Sequence, residues 1–158
     1  MTGTTFRIAG RLTTLGIVLP TPVAPRYAYD AVVVHGGIAY VSGQLPWLGT
    51  ELVATGRVGD DVTVEVASGA ARMCALNALA VLQAAIGSLD RVDRFLRVTG
   101  FVASAPTFRD QPTVIDAASL LLRDIFGDAG RHARSAVGVA ALPRGAAVEI
   151  EFTCAIGP

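Results

Sequence analysis

Arg134 and Glu149 stand where side-chain type and spacing could support chemistry. Arg134 lies in Ala133-Arg134-Ser135-Ala136-Val137-Gly138-Val139-Ala140, a run that alternates with period 2, so that Arg134, Ala136, Gly138 and Ala140 share one strand face. A guanidinium whose neighbours are only Ala and Gly stands beside an open concavity, and its planar fork of donors suits a small carboxylate. Its charge survives burial, because arginine is not deprotonated in proteins. Glu149 lies in Val148-Glu149-Ile150-Glu151-Phe152-Thr153, on the face opposite Val148, Ile150 and Phe152. A carboxylate so placed can act as a base toward water, with an efficiency set by how far its pKa is raised. Gly43, after Ser42, would let main chain approach a ligand closely. An edge strand with solvated charges fits the Arg134 pattern as well. Glu151, His35 and His132 read as solvated strand and loop positions, and Trp47 as a packed or interface aromatic.

Periodicity marks the elements that must carry these residues. Residues 6 to 15 set Ile8, Leu12 and Leu15 at helical spacing, stop at Gly16, and lead into a connector with Pro20, Pro22 and Pro25. Strands are expected at 31 to 34 and 38 to 42, joined as a hairpin by His35-Gly36-Gly37, with a third short strand at 51 to 55. Asp60 and Asp61 precede a helix that begins near Val64, repeats through Ala67, Ala71, Cys74, Ala78, Leu82 and Ile86, and ends at Gly87. Residues 94 to 104 alternate, with Leu96, Val98 and Val102 on one side. Asp110 is expected to cap a second long helix, with Pro112 in its first turn, an inward stripe of Val114, Ala118, Leu121, Leu122 and Ile125, and a stop at Gly127. The turn at 143 to 146 then reads as the tip of a hairpin joining the strand of Arg134 to that of Glu149. The order predicts an α+β fold with two helices on one sheet face. Residues 1 to 26 would form an N-terminal arm, with a short helix and a proline-rich connector, and 27 to 158 a single domain.

The totals narrow the partners. Among 158 residues, 13 Lys plus Arg balance 13 Asp plus Glu, which offers no footprint for nucleic acid or an anionic membrane. Charged residues are 16% and apolar ones 52%, a thin polar coat that predicts subunit contacts covering apolar surface. No uninterrupted apolar run reaches the roughly 18 residues of a membrane span, and residues 1 to 7 lack the basic start and apolar core of a leader, so a cytoplasmic location is expected. Cys74 and Cys154 read as reduced core residues, and with His35 and His132 far apart no metal site is expected.

Three separated motifs occur in one order: Tyr40-Val41-Ser42-Gly43-Gln44-Leu45-Pro46; the strand before a D-x-x-x-V helix; and Ala133-Arg134-Ser135 leading to Leu142-Pro143 and Glu149-Ile150-Glu151. Together they resemble the YjgF/RidA family of reactive imine deaminases, related to L-PSP-like endoribonucleases, over roughly residues 27 to 156. The strings Thr99 to Pro106 and Gly130 to Arg134 are similar to a subgroup with an N-terminal extension. The resemblance implies a chorismate-mutase-like fold: a mixed sheet with two helices on one face, assembled as a barrel-like homotrimer with sites at the subunit clefts. It also implies that Arg134 clasps a substrate carboxylate, that Glu149 positions the attacking water, and that Tyr29 and Ser42 line the pocket. Two pocket positions depart from the family pattern, Ala136 where many members carry Cys and Asp116 where they carry Asn. Asp116 lies nearly opposite the buried helix stripe, facing water or a neighbouring subunit.

The implied activity is hydrolysis of small enamines and imines such as 2-iminopropionate to keto acids and ammonia, with no metal or organic cofactor. A trimer that binds small carboxylates or keto acids without turnover would use Arg134 identically, and ribonuclease activity has little support in a neutral chain without His pairs. In the expected hairpin, Glu149 falls opposite Ala140, about 20 Å from Arg134. One small substrate would then have to take its arginine from one subunit and its glutamate from the next.

Overall fold

The computed structural model describes residues 7–158. The expected helix start at Phe6, and most of the stretch read as lacking a leader, lie outside the described residues. Apolar alternation builds one five-stranded sheet from β1 (Val32–His35), β2 (Ile38–Gln44), β5 (Val92–Ala103), β6 (Ala133–Val139) and β7 (Val148–Ile156). Their order is β1-β2-β7-β5-β6, antiparallel except for the β5–β6 pair. Helices α2 (Val64–Ile86) and α3 (Gln111–Phe126) cover one face, as the sequence predicts, and among the described residues no helix covers the other.

Period 2 on the strands and a spacing of three and four on the helices meet in one core. Val98, Val102, Ile150 and Phe152 pack from the sheet against Leu79, Leu82, Ile115, Leu121 and Leu122, and Phe95 makes edge-on contacts with Phe126 at 4.9 Å and Phe152 at 5.0 Å. By length and composition α2 could cross a membrane, but here more than half of its residues are buried in this core. Thr63 caps it by accepting the Val66 N–H at 3.2 Å, and Gly87, at φ 84°, ends it. Gly100 of β5 lies under α3 so closely that a Cβ there would overlap the Ile115 side chain. Helix α1 (Arg7–Thr14) packs on α3 through Ile8 and Leu12, and the Ile8 N–H donates to Asp90 Oδ1 at 2.8 Å.

Four expectations are corrected. No C-terminal hairpin forms, because β5 lies between β6 and β7. The connection through Pro143–Gly145 gives its hydrogen bonds to the 54 to 56 segment instead, Gly56 N–H to the Gly145 carbonyl at 2.9 Å and Ala147 N–H to the Ala54 carbonyl at 3.1 Å. The strand expected at 51 to 55 shrinks to β4 (Glu51–Leu52), paired with β3 (Trp47–Leu48) in a separate ladder. Leu96 falls at a register shift in β5 and is exposed, leaving Phe95, Val98 and Val102 on the core side. Asp110 stands at the start of α3 but makes no capping bond; its Oδ1 accepts from Thr113 Oγ1 at 2.6 Å.

Candidate functional site

The sequence-derived residues fall into two clusters. Arg134 pairs in register with Val98, a core position, so its side chain points to the helix face. There α3 presents Asp116 and Ser119, three residues apart on one helix face. Arg134 Nη1 donates to Asp116 Oδ1 and to Ser119 Oγ, both at 3.1 Å. The Arg134 side chain is 24% exposed and that of Asp116 57%, so the ion pair contributes about 0–1 kcal/mol and matters more for aiming the guanidinium. Ala136 follows on the same face, and Gly138 closes that end, since a Cβ there would meet Gln111 Nε2 at 2.7 Å and Ser104 Oγ at 3.2 Å. The concavity expected beside Arg134 is therefore bounded by α3.

His132 departs from the solvated position expected of it. It is partly buried, its Nδ1 lies 2.7 Å from the Gly130 carbonyl and its Nε2 2.9 Å from Ser119 Oγ. A carbonyl can only accept, so Nδ1 carries the proton and Nε2 accepts from Ser119. Burial pushes its pKa below the usual histidine value, the bond to Gly130 counteracts, and the Arg134 charge adds a smaller push in the same direction as burial. Ser119 and His132 are the members of this cluster that sequence reasoning missed. Their signal was spacing: Ser119 one helical turn beyond Asp116, and His132 two residues before Arg134.

The second cluster forms where β2 bulges. Val41 pairs with Phe152 and Gln44 with Ile150, so three steps on β2 match two on β7 and the extra residue falls at Ser42–Gly43. Ser42 Oγ donates to the Asp30 carbonyl at 2.7 Å and its N–H to the Ala31 carbonyl at 2.9 Å, which ties the segment carrying half-exposed Tyr29 to the bulge. The Glu149 carboxylate occupies the space that a Cβ at Gly43 would need. Burial, and then repulsion from Glu151, raise the Glu149 pKa above the ordinary carboxylate value. Beside it a 260 Å³ groove on the helix-free face is lined by Tyr40, Ser42, Arg97, Thr99 and Glu151 among others.

Glu149 pairs with Phe101 and Arg134 with Val98, so the two lie two strand spacings and three residues apart, about 14 Å between Cα atoms. Their side chains leave opposite faces of the sheet. The sequence-based separation of about 20 Å rested on the wrong pairing, yet its consequence stands: within one chain, Arg134 and Glu149 cannot hold one small molecule. Among the described residues, no three His, Cys, Asp or Glu side chains converge as metal ligands. Cys74 and Cys154 are buried and unpaired, and burial raises both thiol pKa values, that of Cys154 to about 12.

Comparison with known proteins bears on what such an arrangement does. Residues 9–151 match the model of a family described as YjgF/chorismate mutase-like, of endoribonuclease type. Protein TCP17 from Trypanosoma cruzi is 47% identical over 146 residues, 92% of this chain and 91% of its own length. A protein of unknown function from Agrobacterium tumefaciens has a solved structure 44% identical to this chain, with a TM-score of 0.88, covering 95% of this chain and 92% of its own. RidA from the Antarctic bacterium Psychrobacter is 26% identical, with a TM-score of 0.60, and covers 88% of this chain and 96% of its own.

Proposed function

The chain belongs to the YjgF/chorismate-mutase-like family, and from that premise we propose that it hydrolyses small imino acids to keto acids and ammonia at sites shared between neighbouring subunits of a homotrimer. The observation that carries the reading is Glu149, a half-buried carboxylate with a raised pKa packed against the bare backbone of Gly43. The raised pKa makes Glu149 a stronger base toward water, and the missing Cβ of Gly43 is what gives its carboxylate room at the bulge of β2. Arg134 supplies the complement. Its Nη1 is held by Asp116 and Ser119, which leaves the Nε and Nη2 edge to take a carboxylate at two points.

Water adds to the C=N carbon as Glu149 takes its proton and the nitrogen gains one; the hydroxyl of the resulting carbinolamine then gives up its proton as the C–N bond breaks, leaving the keto acid and ammonia. No step calls for a metal or organic cofactor. Val33, Tyr40 and Val137 leave apolar surface exposed, which a trimer would cover. Reduced Cys74 and Cys154 suit a cytoplasmic setting. An amino acid oxidase acting on alanine generates 2-iminopropionate, and this protein should speed the appearance of pyruvate. Arg134→Lys keeps the charge but loses the planar clamp, so most of the acceleration should vanish with the circular dichroism unchanged. No acceleration by the parent protein, or a Lys variant within twofold of it, would refute the proposal.

A further inference from the structure

Behind the Arg134 clamp lies a cavity of 320 Å³ lined by Ser119, Arg123, Arg131, His132 and Arg134. Three guanidiniums border one small space in a chain whose formal charge is zero. Their neutralisation is incomplete. Arg131 meets Asp128 at 3.3 Å, but those side chains are 62% and 98% exposed, so water screens the pair. Arg134 meets the half-exposed Asp116. Arg123 has no carboxylate within ion-pair distance among the described residues.

The floor of the cavity is polar and organised. Ser119 is 8% exposed, accepts from Arg134 Nη1 and donates to His132 Nε2. His132 is fixed in turn by the Gly130 carbonyl. Gly130 leaves no freedom there, because a Cβ on it would strike the Leu122 carbonyl and approach Arg123 Cα within 2.9 Å. The end of α3, which carries Arg123, and the entry to β6, which carries Arg131 and Arg134, are thereby locked together. These elements fix where the three arginine side chains start, and the positive potential that they sum over one small space favours an anion among them.

We propose that this cavity is a second anion subsite, and that the protein prefers small acids bearing two anionic groups: one carboxylate on the Nε and Nη2 edge of Arg134, and a distal carboxylate or phosphate between Arg123 and Arg131. The proposal rests on the reading of Arg134 as a carboxylate clamp and names the substrate class for that site. A monocarboxylate such as 2-iminopropionate would leave Arg123 and Arg131 unused. The volume lies at the lower end of small-molecule sites, which suits an acid with a short chain between its charges.

Binding without turnover tests it. Titration calorimetry on the assembled parent protein would compare 2-oxoglutarate, with two carboxylates, 2-oxobutyrate, with one, and 3-phosphoglycerate, with a distal phosphate. The parent should bind the dianions at least about tenfold more tightly than 2-oxobutyrate, and Arg123→Gln/Arg131→Gln should cut that ratio to about twofold or less, since charge-assisted pairs are lost. Arg72→Gln, an exposed arginine on α2, should leave the ratio unchanged. Tighter binding of 2-oxoglutarate would identify the distal group as carboxylate, and tighter binding of 3-phosphoglycerate as phosphate. Equal affinity for mono- and dianions in the parent, no binding of any of the three, or a preference that survives the double variant would overturn the subsite. If the dianion preference holds while imine hydrolysis is not accelerated, the deaminase reading fails and the subsite stands; the reverse outcome leaves deamination and removes the subsite.

Discussion

Mixing Arg134→Ala and Glu149→Ala chains should restore activity that neither variant has alone. The two side chains leave opposite sheet faces, with Cα atoms about 14 Å apart along the register, and an arginine and a glutamate pointing away from each other cannot reach one C3 or C4 acid. On the proposed deaminase reading, a complete site would take its arginine from one subunit and its glutamate from the next. After random exchange at equal concentrations, half of the chains keep Arg134 and half of their neighbours keep Glu149, so about one quarter of the sites become whole in a ring of identical interfaces. Activity should climb from near zero to about a quarter of the parent value as exchange proceeds. A second mixture sharpens the test. Parent chains mixed equally with the doubly substituted chain should retain about one quarter of parent activity if sites are shared, but about one half if each chain carries its own site. Pyruvate formation from 2-iminopropionate supplies the assay, with native mass spectrometry to show that mixed trimers form. Mixed trimers without recovery, or one half of parent activity in the second mixture, would refute the shared site.

Three further outcomes test other parts of the reasoning. Gly43→Ala puts a methyl where the Glu149 carboxylate lies, so imine turnover should fall at least about tenfold while circular dichroism stays unchanged, and activity within twofold of the parent would contradict the placement of the base. Glu149 must be unprotonated to accept a proton, so kcat/KM should fall as pH drops through its raised pKa; Glu151→Gln removes a charge that raises it and should move this acid limb to lower pH, and an unmoved limb would count against Glu149 as base. Gly100→Ala forces a methyl into Ile115 and should cost about 1–3 kcal/mol in urea unfolding, as overpacked cores do, whereas a loss below ~0.5 kcal/mol would show that α3 can shift.

What the sequence made legible was local. Helices ending at Gly87 and Gly127, the β1–β2 hairpin, and the alternation that puts Arg134 and Glu149 on defined strand faces depend on neighbours within a few residues, and all appear in the structure. Strand order is not local. The turn at Pro143–Gly145 reads as a hairpin tip because proline and glycine mark a reversal, but the eight residues between Val139 and Val148 leave room for β5 to enter between the strands they join. Helical phase alone puts Asp116 on the outer face of α3, whereas its partner Arg134 reaches it through strand pairing that periodicity does not contain. Ser119 carries no local signal for the same reason, since a serine in mid-helix gains meaning only when a histidine and an arginine from another element close on it.

The insertion of β5 carries the functional consequence. Had β6 and β7 paired directly, Arg134 and Glu149 would have sat on neighbouring strands, and only their offset along the hairpin would have kept them apart. With β5 between them, Arg134 lies on the sheet's free edge, braced by α3, while Glu149 lies beside the bulge of β2, next to a groove on the bare face. Each cluster is organised without the other, Arg134 through Asp116 and Ser119, Glu149 through Gly43 and burial. Neither needs the assembly in order to form. What the assembly would supply is their meeting, so the exposed apolar residues of the bare face, Val33, Tyr40 and Val137, would control catalysis through the geometry at which one subunit's edge meets the next without touching substrate themselves.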